Sequence, residues 1–555
     1  MTVRRIGPLF AGLVAVSLAA GCVPENAKAP PTRQPTAAAA STAKTAELDR
    51  TIRAYDELIR QDPDNHMAYV NRGVAYFDKG EYERAIRDYD EAIRLNPEDA
   101  TAFNNRGVAY AESGQLQRAI EDQSEAIRLD PGLAKAYVNR GISHQANRDY
   151  DRAIQDYDVA IRVAPDDAEA YANRGSAFGS TSQFEQAILD YSAAIRLDRG
   201  MVRAYYDRGN SHRELGDYKR AIRDYDEAIR LSPKHAGAHH NRGIAYSLMG
   251  ESDRAARDYD AAIRIDPGLA EAYYSRASFF EDMGAHDSAI ENYNIAMRLR
   301  PGYALAYLGR GNTYQRKGEY RRAIRDYDEA IRLNPEDASV YVNRGIAYRH
   351  SGEHDRSIED YNTAIRLAPG LAKAYHNRGN AYAHKGDYDQ ALRDYDEAIE
   401  RDANNVYVYA SRGFVRLLRG AYKGAVDDYD VAIGLSPGYT DAYVGRGMAY
   451  LSMGDRERAI ETYDEGIGVN PGSAALYTSR CWALGLLRRP RDALRDCNES
   501  LRLEPDVAAA LDSRALAYWL LDERDKARRD LERARQLDPQ RPPWRDRFHA
   551  FEAMF

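Results

Sequence analysis

The chain has 555 residues, 30% of them charged and 44% hydrophobic, with a formal net charge of -8. Its 78 basic and 86 acidic side chains are interspersed without a basic stripe, which excludes the electrostatic footprint of a nucleic-acid binder. A length that ordinarily implies roughly three or four domains is here filled by one short recurring pattern, so the core must be thin and shared among many small helices. The amino end opens on Arg4 and Arg5, an apolar run from Ile6 to Ala20 and then small residues, the order of an export leader. That run is too short to span a bilayer as a mature helix.

The leader ends in Leu18-Ala19-Ala20-Gly21-Cys22, which resembles the lipobox of bacterial lipoproteins, with its leucine one place further upstream than in the commonest form. The resemblance implies cleavage before Cys22, diacylation of that cysteine and acylation of the new amino end. Each buried acyl methylene contributes about 0.8 kcal/mol, so two or three chains would hold the protein firmly on a membrane. The following residue is Val23 rather than aspartate, which by the same resemblance implies the outer membrane, facing the periplasm, in a host that has two. Residues 1–21 are therefore expected to be a signal peptide. Residues 22–45, rich in Ala, Pro and Thr, are expected to be a disordered tether.

From residue 46 a helical pattern begins. Residues 46–65 supply one helix, carrying Tyr55 and Leu58 and ended at Pro63, which suits a cap. Units of 34 residues then run without insertion from His66 to Arg541, fourteen in all. Each predicts two helices with a break near the fifteenth position and a turn proline near the end, as at Pro97, Pro131 and Pro165. Glycine at the eighth position and alanine at the twentieth allow close helix approach, and tyrosine at the fourth, eleventh and twenty-fourth fills the space around them. This pattern resembles the tetratricopeptide repeat, and the resemblance covers residues 46 to 541. It implies an all-α fold, a right-handed superhelical α-solenoid of helical hairpins in which each hairpin buries its faces only against its neighbours. Residues 542–555 place Trp544, Phe548, Phe551 and Phe555 on one helical stripe, suited to sealing the last unit. Two stretches, 80–100 and 318–338, differ at one position, and their offset is seven units, so a block of seven looks duplicated.

Two departures from the family pattern bear on chemistry. The seventh position is arginine in every unit and the twenty-third is aspartate in twelve of fourteen. In a hairpin turning near the fifteenth position these face each other, which predicts structural ion pairs such as Arg72 with Asp88 and Arg106 with Asp122. The sixth position carries Asn71, Asn105, Asn139, Asn173, Asn241, Asn343 and Asn377. First helices line the inner surface of such superhelices, and this placing resembles the asparagine ladder in the repeat domain of eukaryotic O-GlcNAc transferase. The resemblance implies that the amides grip the backbone of an extended peptide, since one amide both donates and accepts. In the middle of the array Tyr206, Asn210, His240, Tyr274 and Asn312 are expected on the same inner face. The lysine that a carboxylate clamp needs at the fifth position is missing from every unit.

His235 and His239 are four apart and could share a metal, but a proline helix break intervenes, His239 fills a tyrosine slot and no third ligand is evident, so no metal site is expected. Cys481 and Cys497 occupy the eighth and twenty-fourth positions of one unit, where they can form a disulfide in an oxidising envelope or remain buried thiols. No phosphate loop, nucleophile elbow or zinc-protease helix is present, so neither catalysis nor a cofactor is expected. The expected function is a lipid-anchored scaffold of the bacterial cell envelope that binds proteins or extended peptides in a groove. The alternative is an accessory lipoprotein of an exopolysaccharide-export or pilus-assembly machine, with polysaccharide as its ligand.

Overall fold

The computed structural model describes the backbone from Ala37 to Met554 and side chains from residue 45 onward, that of Trp544 excepted. The expected signal peptide, the lipidation site Cys22, Val23 and most of the expected tether lie outside the described residues, as do the side chains of Trp544 and Phe555. One boundary moves. The leading helix spans Ala37–Gln61, so it takes in the last part of the stretch assigned to the tether. Its first turn is the alanine run 37–40, and alanine is the strongest helix former.

The fold is an all-α solenoid of helical hairpins, with thirty helices among the described residues. In the first repeat His66–Asp78 is followed by Tyr82–Leu95, and the same 13- and 14-residue lengths recur. The turn between them needs a left-handed residue. Gly80 supplies it at a φ of 76°, whereas the third repeat uses Arg148 at 61°. Where the last residue of a repeat is aspartate it caps the next helix. Asp99 accepts from the backbone N–H of Thr101 at 3.0 Å and of Ala102 at 3.1 Å.

Close packing follows from side-chain size. A Cβ on Gly73 would stand 2.7 Å from Tyr89 Cε1, so the eighth position stays bare there, whereas the seventh repeat accommodates Ala277 in the core with Tyr293. Ala85 and Ala92 are fully buried beneath Tyr89, and Ala102 and Ala109 of the next repeat close the same core. Every layer is thus finished by its neighbour. At the carboxyl end Trp544–Ala553 seals the array, with Phe551 fully buried against Leu516 and Leu531.

The chain forms two compact units, Met1–Ser211 and His212–Phe555. Within each, the first helices of successive repeats meet, as His66–Asp78 meets Ala100–Glu112, and Ala236–Leu248 meets Ala270–Asp282. Among the described residues no second helix meets the second helix of the following repeat. First helices therefore line the inner surface of each unit.

The arginine at the seventh position has two arms. Arg72 donates from Nε and Nη2 to Asp88 at 2.8 and 2.7 Å, closing its own hairpin. Its Nη1 donates to Asp56 of the preceding helix at 2.8 Å. Arg106 repeats the arrangement with Asp122 and, backward, Asp90, while Arg344 does so with Asp360 and Asp328. The outer arm joins each repeat to the one before, a connection the seventh-to-twenty-third spacing does not suggest. Burial pushes the Asp326, Asp360 and Asp394 carboxyls up against the pull of their arginines, which marks the inner arm as desolvated. Where aspartate is replaced the fork adapts. Arg276 meets Asn292 at 2.8 Å, and Arg446, facing Thr462, turns to Asp430 and Glu465.

Asp88→Ala, which leaves a largely buried guanidinium with Asp56 as its remaining carboxylate partner, is expected to destabilise the protein by about 2 kcal/mol in denaturant unfolding followed by circular dichroism. Asp90→Asn, at a carboxylate half exposed to solvent, is expected to cost less than about 1 kcal/mol.

Candidate binding face

The inner face of each unit is built from positions five, six, nine and twelve of the first helices. Their side chains divide into those that knit repeats together and those with capacity left over. In the unit Met1–Ser211, Asn139 donates to Asn104 at 2.9 Å, and Asn173 accepts from Arg203 at 3.2 Å. Asn105 only accepts, weakly, from Asn104 at 3.4 Å, so its own N–H donors are unspent. Asn71 is half-buried and has no side-chain hydrogen bond among the described residues. Tyr206 and Asn210 are half-buried and each is engaged by a neighbour.

In the unit His212–Phe555 the expected inner-face residues are mostly structural. His240 is buried, and its Nε2 lies 2.9 Å from Ser275 Oγ of the next repeat. His376 and Ser411 make the same contact at 3.0 Å. Tyr274 packs its ring against Tyr293 and Tyr303, with centroids 5.8 and 5.2 Å apart. Asn312 accepts from the Tyr327 hydroxyl at 2.9 Å and from Asn343 at 3.1 Å. Asn377 donates to the Lys373 carbonyl of its own helix at 2.8 Å, and Asn241 is buried and engaged. The asparagines do not form one uniform ladder. Asn71 and Asn105 are the members that donate no side-chain hydrogen bond and receive at most a weak one.

A second relation was hidden in the sequence. In several repeats the buried tyrosine at position twenty-four donates its hydroxyl to position nine or twelve of its own repeat. Tyr157 donates to Gln145 at 3.1 Å, Tyr293 to Glu281 at 3.0 Å and Tyr395 to Asn380 at 2.9 Å.

Cys481 and Cys497 are joined as a disulfide, with Cα atoms 5.5 Å apart. They stand where other repeats set glycine against a tyrosine ring. His235 caps its helix by accepting from the Ala238 N–H at 3.0 Å, while His239 lies 3.4 Å from Asp258. Among the described residues no group of His, Cys, Asp or Glu is placed to hold a metal, and no helix is long and apolar enough to cross a membrane.

Comparison with known proteins gives a consistent result. Profiles described as tetratricopeptide repeat match residues 43–89, 138–202 and 308–372, and others match 73–114, 100–133, 209–250, 236–269, 280–318, 372–405 and 440–473. No curated protein matches the chain. Among solved structures, the APC/C hetero-tetramer Cut9-Hcn1 is 15% identical, covering 81% of this chain and 96% of its own at a TM-score of 0.42. A tetratricopeptide repeat protein from Parabacteroides merdae is 23% identical, covering 45% and 98% at 0.38. YrrB, described as a TPR protein with an unusual peptide-binding site, is 22% identical, covering 34% and 96% at 0.29.

Burial pushes the imidazoles of His240 and His376 down to about 4, helped at His376 by Arg349 and at His240 by Arg213 against the pull of Glu271. Both bind a proton more weakly folded than unfolded. Their contribution to stability is therefore complete above the ordinary value of 6.5 and is lost as pH falls from there toward about 4. Each pH unit of that window costs about 1.4 kcal/mol per group at most. Between pH 7 and pH 5 the variant His240→Gln, His376→Gln is expected to lose less unfolding free energy than the native chain, as measured by denaturant titration at each pH.

Proposed function

The chain belongs to the tetratricopeptide repeat family, and from that premise we propose that it is a non-enzymatic interaction scaffold tethered to the bacterial cell envelope. Its ligand on the inner face of the unit Met1–Ser211 is an extended peptide. One observation carries this choice, namely the unspent amides of Asn71 and Asn105 on adjoining first helices. A peptide group offers one donor and one acceptor, and a side-chain amide answers both whatever residue the peptide carries. The arginines and aspartates of the fork are committed to the array itself, so charge does not select the ligand there. Anchoring rests on the resemblance at Cys22, which places acyl chains at the mature amino end and the repeats on the periplasmic side of the outer membrane.

Photo-crosslinking from position 74 in intact cells identifies the peptide. That peptide is expected to lose at least about tenfold in affinity for Asn71→Ala, Asn105→Ala, from two hydrogen bonds of about 1 kcal/mol each. N-methylation of its backbone amides is expected to do the same. Full affinity in both cases contradicts peptide-backbone capture. Separately, Cys22→Ser is expected to abolish palmitate incorporation and move the protein to the soluble fraction. Retention on the membrane without palmitate contradicts the anchor.

A further inference from the structure

A cavity of about 420 Å³ opens on the inner face of the unit His212–Phe555, between the last three repeats and the sealing helix. Its size is that of a small-molecule site. Met448, Leu451 and Trp482 make an apolar wall. Opposite them, Arg547 of the sealing helix grips Asp512 through Nε at 2.9 Å and through Nη2. The Arg547 guanidinium also lies over the Trp482 ring, 5.7 Å from its centroid. Arg541 stands 3.5 Å from the same aspartate and 3.2 Å from Asp538 on the exposed side.

One wall residue lacks the hydroxyl partner that several of its counterparts have. Tyr463 is fully buried, yet its hydroxyl has no partner, because the positions that satisfy this tyrosine elsewhere are Met448 and Leu451 here. Gln145 and Gln315 occupy the place of Leu451 in the third and eighth repeats, and there each takes the tyrosine hydroxyl. A buried hydroxyl without a partner is costly and rare. Burial holds it far above the ordinary tyrosine range, so it is a neutral donor at any physiological pH.

The remaining polar groups around the cavity are mostly spent in a way that defines what is missing. Ser452, Ser479 and Ser513 donate back to carbonyls of their own helices, and Thr478 pairs with Ser500 at 2.7 Å. Both oxygens of Asp512 are taken by Arg547. Unspent donors remain at the Tyr463 hydroxyl and at Nη1 of Arg547, which makes no hydrogen bond among the described residues, while the serine oxygens keep acceptor lone pairs. A ligand that uses those two donors brings oxygen acceptors on an apolar body.

We infer that this cavity binds a small aromatic carboxylate, its ring against Met448, Leu451 and Trp482 and its carboxylate accepting from Tyr463 and the arginine rim. Charge-assisted acceptance from a guanidinium is stronger than its neutral counterpart, so the acid is favoured over the amide. The site is separate from the asparagine face and does not depend on peptide binding there.

The probe is 2-naphthoate, titrated into the full chain by calorimetry, with 2-naphthamide as the uncharged control. The acid is expected to saturate one site and to bind at least tenfold more tightly than the amide. Tyr463→Phe is expected to weaken it about tenfold while the thermal unfolding midpoint of the free protein stays level or rises, since an unpartnered hydroxyl has been removed. Leu451→Gln, which supplies the tyrosine partner found in other repeats and puts an amide in the apolar wall, is expected to weaken binding at least tenfold with helical content unchanged. Absence of saturable binding overturns the inference, as does equal affinity for acid and amide, or undiminished binding by both variants.

Discussion

A guanidinium has a planar fork of donors, and this array uses the fork to make two connections from one side chain. Nε and Nη2 of the seventh-position arginine close a hairpin on aspartate sixteen residues ahead, while Nη1 reaches sixteen residues back to the previous repeat. Lysine cannot do this, because a point charge on a flexible stem does not hold two carboxylates in one plane. The inner carboxylate is buried and the outer one half exposed, so the inner arm specifies the hairpin and the outer arm sets its seat on its neighbour. Repeats that lack the standard partner keep the arginine and find another acceptor, as Arg140 does with Ser124 at 3.1 Å.

Once the scaffold uses its charges this way, little of the repeat remains for recognition. Glycine, alanine and tyrosine fill the layer, and the turn residues are set by backbone geometry. Ligand chemistry falls to positions five, six, nine and twelve of the first helices, and even there many groups tie one repeat to the next. His240 with Ser275 and Asn343 with Asn312 are seams rather than ligand contacts. Places where the seam is incomplete, at Asn71 and Asn105 in one unit and at Tyr463 in the other, are where binding is argued. Incompleteness is informative because buried polar groups are otherwise satisfied.

The register of the helices was legible throughout, since every first helix begins where the period of 34 places it and glycine, alanine and tyrosine occupy the packed positions. The Arg72–Asp88 pairing followed from hairpin geometry alone. The arm from Arg72 to Asp56 did not, because it depends on how one hairpin rotates against the next, and that rotation is set by packing rather than by spacing. The start of the leading helix at Ala37 was obscured by a composition shared between helices and flexible segments. The division of the asparagines was also hidden. An amide at position six looks the same in sequence whether it donates across to Asn104, as Asn139 does, or makes no side-chain hydrogen bond, as Asn71.

The central claim is that the arginine couples two repeats and not merely two helices of one. Hydrogen exchange followed by mass spectrometry on Arg344→Gln tests it directly. The account predicts faster exchange in Ala338–His350 and His354–Leu367 and also in Tyr320–Leu333 of the preceding repeat, where Asp328 loses its partner. Faster exchange confined to Ala338–His350 and His354–Leu367, with Tyr320–Leu333 as protected as in the native chain, would contradict it.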